Sequence, residues 1–353
     1  MLDFILPIAG VWINLGLVAG VGLLIGFVSG LFGVGGGFLM TPILIFLGVP
    51  PSIAVATGSA QLVASATFSA TVAARQRAID PKLSGFLIGG ALLGTGIGIA
   101  LFNLLSSLGR LDGVIGVAYV VLLGTVGGLM LKESLGSFRR KQPHADERPA
   151  ENALQRWLGG LPMLHDFPRL GVSISLVPLV LISIVIGIIG TVLGVGGGFM
   201  FVPALIYLFR LPTRSAVAAS QVQILVTMVT ATLLHAVFNH AIDVVLAVPL
   251  IFGGVFGAHL GTLVGRVVNG ASFRLALAAL ILLVAARFFY ALLASLFASA
   301  ASIASAPVSL AALPAWEGWI VIQANQSSLL YGIATALLAL FCGYFGARLF
   351  TRA

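Results

Sequence analysis

Two glycine runs are the residues of this chain best suited to chemistry. Gly33-Val34-Gly35-Gly36-Gly37-Phe38 recurs 161 positions later as Gly194-Val195-Gly196-Gly197-Gly198-Phe199. Each run lies between a long apolar segment and a short one. Glycine lets the backbone turn without steric cost. Non-helical backbone at membrane depth is tolerated where it is buried in protein or lines a cavity. Short helices beginning near Phe38 and Phe199 would aim unsatisfied N–H groups at the break, and a helix N-terminus carries roughly half a positive charge. The backbone at Gly35, Gly36, Gly37 and Phe38, with that at Gly196, Gly197, Gly198 and Phe199, is therefore a candidate anion site. The alternative is that the glycines only let helices pack closely, as small residues do in membranes. Two matched runs, each followed by a short helix and a proline (Pro42 and Pro203), favour the break. Nucleotide binding is excluded by pattern. Phe38 and Phe199 stand where the dinucleotide fingerprint needs its third glycine, and no Lys-Ser/Thr follows for a phosphate loop.

Polar side chains near the starts of two further segments add donors: Thr57, Ser59 and Gln61 in one, Ser220, Gln221 and Gln223 in the other. Ser59, Gln61, Ser220 and Gln221 are the candidates for contacting an oxyanion. Their competing role is an interhelical hydrogen bond, worth about 0.6 kcal/mol on average in membranes. Ionisable groups within spans are functional candidates by default. Arg287 is positioned to pair with a charged substrate, or equally to snorkel or bond a carbonyl. His235, His240 and His259 occur only in the second half of the chain. Asp80, Asp112 and Asp243 sit at segment ends, and no carboxylate lies deep in a span. Proton-coupled pumps often relay through such carboxylates. An anion uniporter, or one coupled weakly through histidine, fits better. An interior-negative potential drives anions outward by about 2.3 kcal/mol per charge per 100 mV.

The elements that must position these residues are membrane spans. Of 353 residues, 59% are hydrophobic and 8% charged, and the mean hydropathy is +1.15. Soluble domains carry about 25% charged residues. Apolar segments run at 14–33, 37–48, 52–74, 82–105 and 111–131, then at 174–193, 198–209, 213–238, 244–268 and 272–298, with a last span at 328–350. The segments at 37–48 and 198–209 are too short to cross a hydrocarbon core of about 30 Å. Residues 132–170 hold seven Lys/Arg and five Asp/Glu, and read as a solvated linker with room for a short helix near Asn152–Leu158. The first residues carry Asp3 and no basic residue, unlike a cleavable signal, so the first segment is expected to be structural. The single cysteine, Cys342, excludes an intrachain disulfide.

The two sets of segments are copies. Pro42 matches Pro203, Pro51 matches Pro212 and Ser59 matches Ser220 at the offset of 161. Asp80 matches Asp243, and Gly90, Gly94 and Gly98 match Gly253, Gly257 and Gly261, at an offset of 163. Positive residues mark the cytoplasmic side. In the first copy they follow the third segment, as Arg75, Arg77 and Lys82. In the second they lie one loop earlier, as Arg210 and Arg214, and one loop later, as Arg266 and Arg274. The copies are thus expected to have opposite orientation, a common transporter plan. This scheme puts the N-terminus outside, the C-terminus in the cytoplasm and 16 of 18 Lys/Arg inside. The net charge of +8 then reads as an orientation signal rather than as a nucleic-acid surface.

The glycine runs with Pro42 and Pro203, the matched Ser59 and Ser220, and the glycine-rich segments near Gly90 and Gly253 resemble the sulfite exporter TauE/SafE family, also called the toluene-sulfonate uptake permease family. The resemblance covers roughly residues 14–298. It implies transport of sulfite, sulfonates and related organosulfur anions, usually outward, across a bacterial inner membrane. The long linker and the span at 328–350 depart from the common plan.

The sequence therefore predicts an all-α polytopic membrane protein. Its parts are a first transmembrane repeat (1–131), a cytoplasmic linker (132–170), a second repeat (171–298), an outer loop (299–327) and an extra C-terminal helix (328–353). Two inverted-topology repeats carry short, broken helices at the glycine runs. The expected partners are a small anion of the sulfite or sulfonate class and the lipid bilayer, with no nucleic acid, cofactor or metal. Which anion, which direction and what oligomeric state are left open. The rivals are an anion pore and a membrane enzyme or assembly factor. An enzyme would need His, Asp or Glu clustered at one depth, and an assembly factor would need large soluble loops.

Overall fold

Long runs of Leu, Ile, Val, Ala and Gly without charge satisfy their backbone groups only by coiling when water is absent. That is the form they take. A computed structural model describes residues 3–32, 35–139, 164–167, 172–264 and 278–293, with five positions between 337 and 344. The elements are β1 (Asp3–Ile5), β2 (Trp12–Asn14), α1 (Leu15–Phe32), α2 (Gly37–Phe46), α3 (Pro51–Arg75), α4 (Pro81–Ser107) and α5 (Leu111–Arg139). Then follow β3 (Leu164–Phe167), β4 (Val172–Ser175), α6 (Leu176–Leu193), α7 (Gly198–Tyr207), α8 (Thr213–Leu234), a π-helical turn (His235–Asn239), α9 (Val244–Val264) and α10 (Ala278–Leu293). Among the described residues, six helices are long and apolar enough to cross a membrane. The chain is thus an all-α polytopic membrane protein. The cytoplasmic helix expected near Asn152–Leu158, the loop 299–327, Cys342 and most of the span at 328–350 lie outside the described residues.

The chain divides into two compact units. The first holds Met1–Leu104, Pro149–Val267 and Ser327–Ala353. In it, each set of helices repeats one order: a long helix, a ten-residue helix and two long helices. The fourth helix of each set packs on the first helix of the other. A Cβ added at Gly26 or Gly30 of α1 would fall on the carbonyl of Gly254 or Ala258 of α9. Additions at Gly253, Gly257 and Gly261 would strike Ala19, Leu23 and Phe27 in return. In the same manner Gly94 of α4 lies on Ile184 of α6, and Gly90 and Gly98 lie on Ser183 and Thr191. Without side chains between them, the backbones approach closely enough for dispersion to hold the pair, which matters where lipid removes the hydrophobic drive.

α3 and α8 form the centre. The apolar stretch of α3 is 94% buried, yet its mean hydropathy of 1.3 is the lowest of the six spans. A helix wrapped by protein need not be as apolar as one facing lipid, so α3 is free to carry Thr57, Ser59, Gln61, Ser65 and Thr67, all buried. Leu62, Val63 and Ala66 of α3 pack with Ile224 and Met228 of α8 and Ile251 of α9, and Leu340 rests against this cluster. Asp80 and Asp243 cap the fourth helices in matched fashion. The Asp80 carboxylate accepts from the N–H groups of Lys82 and Leu83, both at 3.0 Å. Asp243 accepts from Val245 at 3.1 Å and Leu246 at 3.2 Å.

Two features depart from the sequence reading. A β-hairpin precedes each first helix: β1 pairs antiparallel with β2, and β3 with β4. The offset of 161 carries Ile13 onto Ile174 and Leu6 onto Phe167, and all four are buried. The duplication therefore begins before the first span, and the second hairpin starts inside the stretch read as linker. Likewise α5 continues beyond 131 to Arg139, because a helix has no reason to stop at the membrane surface while helix-forming residues follow it.

The second unit, Leu105–Arg148 and Val268–Gln326, contains all of α5 and of α10. Tyr119 of α5 stacks on Phe288 of α10 with centroids 5.3 Å apart. Gly127 lets Ile281 and Leu282 approach.

Candidate functional site

Each short helix starts at a buried break. α6 ends at Gly194, whose φ of +65° is left-handed, and the N–H of Val195 closes the turn onto the Gly190 carbonyl at 2.9 Å. Gly196 and Gly197 continue at φ +74° and +75°, conformations that only glycine adopts readily. In the first set Gly35 is left-handed at +77°, and Gly36 begins α2 at φ −77°. Gly36 packs on Ile25 and Gly197 on Ile186, two isoleucines again related by the offset of 161. Neither short helix has a side chain capping its first N–H groups. Inside the helices, Pro42 and Pro203 have no N–H for the carbonyls of Phe38 and Phe199, four residues back.

The two breaks meet. Phe38 and Phe199 touch, with ring centroids 5.2 Å apart, and both are buried. A Cβ at Gly37 would lie 2.5 Å from the carbonyl oxygen of Val195 and 2.5 Å from Leu62 of α3. Gly35 and Gly196 both abut Ile224 of α8. Residues equivalent by duplication are thus in direct contact, with Leu62 of α3 and Ile224 of α8 packed against the breaks.

The candidate side chains have separate fates. The Ser59 hydroxyl lies 2.6 Å from the Ala56 carbonyl, to which it donates, and 2.9 Å from the Thr232 hydroxyl. It ties α3 to α8. The Ser220 hydroxyl donates to Val217 of its own helix at 2.8 Å. Thr57 accepts from the Asp243 N–H at 3.1 Å. Gln61 is buried, its Nε2 is 2.8 Å from the Ser65 hydroxyl, and its Oε1 has no hydrogen-bond partner among the described residues. Gln223 repeats this arrangement, with Nε2 3.1 Å from the Thr227 hydroxyl and Oε1 unpartnered. Gln223 rather than Gln221 is therefore the structural mate of Gln61. Gln221 is buried and lines a cavity between α3 and α8. Arg287 lies at an exposed position of α10 in the second unit, so the breaks meet in a unit that does not contain it. His235 is buried in the π turn, bonded to Asn239 at 2.7 Å and edge-on to Phe102 at 4.7 Å. His259 is edge-on to Phe68. Among the described residues, no three of His, Cys, Asp and Glu gather where a metal ion would sit.

Two residues at the breaks escaped the sequence reading. The hydroxyls of Ser29 and Thr41 are buried with no hydrogen-bond partner among the described residues. The Ser29 side chain lies against Gly36, and the Thr41 hydroxyl is 3.1 Å from where a Gly194 Cβ would be. An unpaired buried hydroxyl is destabilising by about 1–3 kcal/mol, so each calls for an explanation. The signal for Thr41 was present: it is the one polar side chain in the ten residues of α2.

Residues 18–288 match the family described as sulfite exporter TauE/SafE. A probable membrane transporter protein of Xylella fastidiosa (strain 9a5c) is 30% identical over 253 residues, 69% of this chain and 82% of the relative. The probable membrane transporter protein YunE of Bacillus subtilis (strain 168) is 26% identical over 253 residues, 69% of this chain and 86% of the relative. The sulfite exporter TauE/SafE family protein 3 of Arabidopsis thaliana is 27% identical over 125 residues, 34% of this chain and 26% of the relative. No solved structure matches the chain.

Proposed function

Because the chain belongs to the sulfite exporter TauE/SafE family, and so is a multi-pass membrane transporter, we propose that it exports a small oxyanion of the sulfite or organosulfonate class through a site where the two glycine breaks meet. The observation that carries this reading is the contact between equivalent residues, Phe38 on Phe199. Two copies of one element touch at equivalent points only where the axis relating the copies passes. With the loop charges giving the copies opposite orientation, that axis lies in the membrane plane, the N-terminus is outside and the C-terminus is cytoplasmic, in a bacterial inner membrane. Both short helices then aim their N-termini at one midplane point.

The first N–H groups of α2 and α7 hold the oxyanion. Each helix end contributes a favourable interaction of about 0.3–1 kcal/mol, and up to about 2 kcal/mol when partly buried. Ser29 and Thr41 donate the hydroxyl hydrogens that have no partner among the described residues. Gln61 contributes through its amide: rotating it lets the Ser65 hydroxyl donate to Oε1 and turns N–H toward the substrate. Ser59 and Ser220 keep packing roles, through the bonds they already make, and Gln221 meets the anion before it reaches the breaks. The Phe38–Phe199 pair closes the path between the two sides, which favours alternating access over a standing pore.

The test is flux into proteoliposomes carrying the purified protein, with sulfite, sulfate and benzenesulfonate. Saturable flux of sulfite or the sulfonate, driven by membrane potential at fixed pH, is the expected result. Absence of saturable flux for all three, or a requirement for an imposed proton gradient at fixed voltage, contradicts it.

A further inference from the structure

Beside the breaks lies a cavity of about 570 Å³, bounded by the end of α1 at Gly30, the last turns of α3 near Val72 and Gln76, and the first turns of α8 from Arg214 to Gln221. At about 30 Å³ per water it holds well over ten waters, so a small anion fits with much of its hydration shell. Among the described residues Arg214 is the one charged side chain lining it, and no carboxylate does. The Arg214 guanidinium donates to the backbone carbonyl of Gln76 at 3.1 Å. A carbonyl leaves the positive charge unneutralised, and a guanidinium has five N–H donors.

The cavity also leads to the right place. Gln221 is seven residues along α8 from Arg214, roughly 10 Å at 1.5 Å per residue. Ile224, less than one turn further, is the residue that abuts Gly35 and Gly196. The same end of α3 carries the exposed Arg75 and Arg77, which marks it as cytoplasmic. We propose that this cavity is the cytoplasmic loading vestibule and that Arg214 captures the oxyanion there, ahead of the breaks. The inference rests on the transport reading above and adds to it a second, weaker site, on one side of the membrane only. Direct phosphate-like recognition by Arg favours planar, bidentate contact with two oxygens of the anion.

The competing role for Arg214 is structural, as a cation capping the end of α3. The two roles separate in kinetics. Initial rates are measured in vesicles of known orientation, with sulfite and with benzenesulfonate, loaded from the face bearing Arg214 and from the opposite face. Arg214→Gln should raise KM about tenfold from the Arg214 face, equivalent to about 1.4 kcal/mol, with kcat and thermal stability within about twofold and a degree or two of wild type. Arg214→Lys, which keeps the charge, should hold most of the affinity. The difference should shrink in 0.5 M potassium gluconate, where screening shortens to a few ångströms. An unchanged KM in Arg214→Gln, an equal rise from both faces, or a fall in kcat and stability at constant KM would each overturn the vestibule. Wild-type protein with no saturable flux overturns the transport reading, and the vestibule with it.

Discussion

Replacing Gly26 with alanine tests the packing that positions the breaks. The new Cβ falls against the carbonyl oxygen of Gly254 and 2.7 Å from its Cα. Carbon atoms rest at about 3.5–4.0 Å, so α1 and α9 must part by about 1 Å. Overpacking of this kind costs about 1–3 kcal/mol, and alanine returns at most about 1 kcal/mol of helix propensity. A net loss of about 1–2 kcal/mol follows. Gly20, on the same helix, has nothing within 4 Å of the position its Cβ would take, so Gly20→Ala should be neutral or slightly stabilising. The second interface supplies the same pair of tests. Gly94→Ala strikes Ile184, whereas Gly89→Ala meets nothing. Thermal unfolding of the four variants in one detergent should lower the midpoint by several degrees for Gly26→Ala and Gly94→Ala and leave the other two at or above wild type. Equal stability of Gly26→Ala and Gly20→Ala would refute the close-backbone argument, and with it the exchange of first and fourth helices between the copies.

Thr41→Val removes, at nearly constant volume, a buried hydroxyl with no hydrogen-bond partner among the described residues. It should leave stability equal or higher while raising the transport KM about tenfold, the value of one hydrogen bond to a charged group at its lower end of about 1.5 kcal/mol. Ser59→Ala should do the reverse, lowering stability by about 0.6 kcal/mol with KM unchanged. Asp243→Ala should destabilise more than Asp80→Ala in thermal unfolding, because Asp243 also accepts from the Ile8 N–H at 3.0 Å and so holds the first hairpin; each lost cap is worth about 1 kcal/mol. Phe38→Ala and Phe199→Ala should each produce a substrate leak down its gradient. Their double-mutant cycle should show about 0.5–1.5 kcal/mol of coupling in stability, the range for an aromatic pair.

Most of the helical plan was legible because spans announce themselves by length and absence of charge. The expected segment 37–48 and the helix Gly37–Phe46 differ by two residues at one end, and the breaks fall where the glycine runs do. The hairpins were not legible, since strands of three or four residues are too short to show an alternation. The matched serines set the register of α3 and α8 by sequence identity, and this hid a one-residue shift beyond them. Gln61 pairs with Gln223 only once each is seen reaching a hydroxyl four residues on. Ser29 gives no signal in the sequence, and Thr41, though the one polar side chain of α2, gives none of its being unpartnered. A hydroxyl in an apolar helix normally bonds its own backbone, and only the packed structure reveals that these two do not.

The central claim is that backbone at the paired breaks binds the anion, and leucine at Gly36 or Gly197 tests it most directly. A side chain at Gly36 enters the space of Ile25, and one at Gly197 meets Ile186 and imposes a strained φ of +75°. Sulfite and benzenesulfonate flux should fall to the level of empty liposomes in both variants, in protein that still elutes as a single species and keeps its helical circular dichroism. Transport at the wild-type rate in either folded variant would contradict the account.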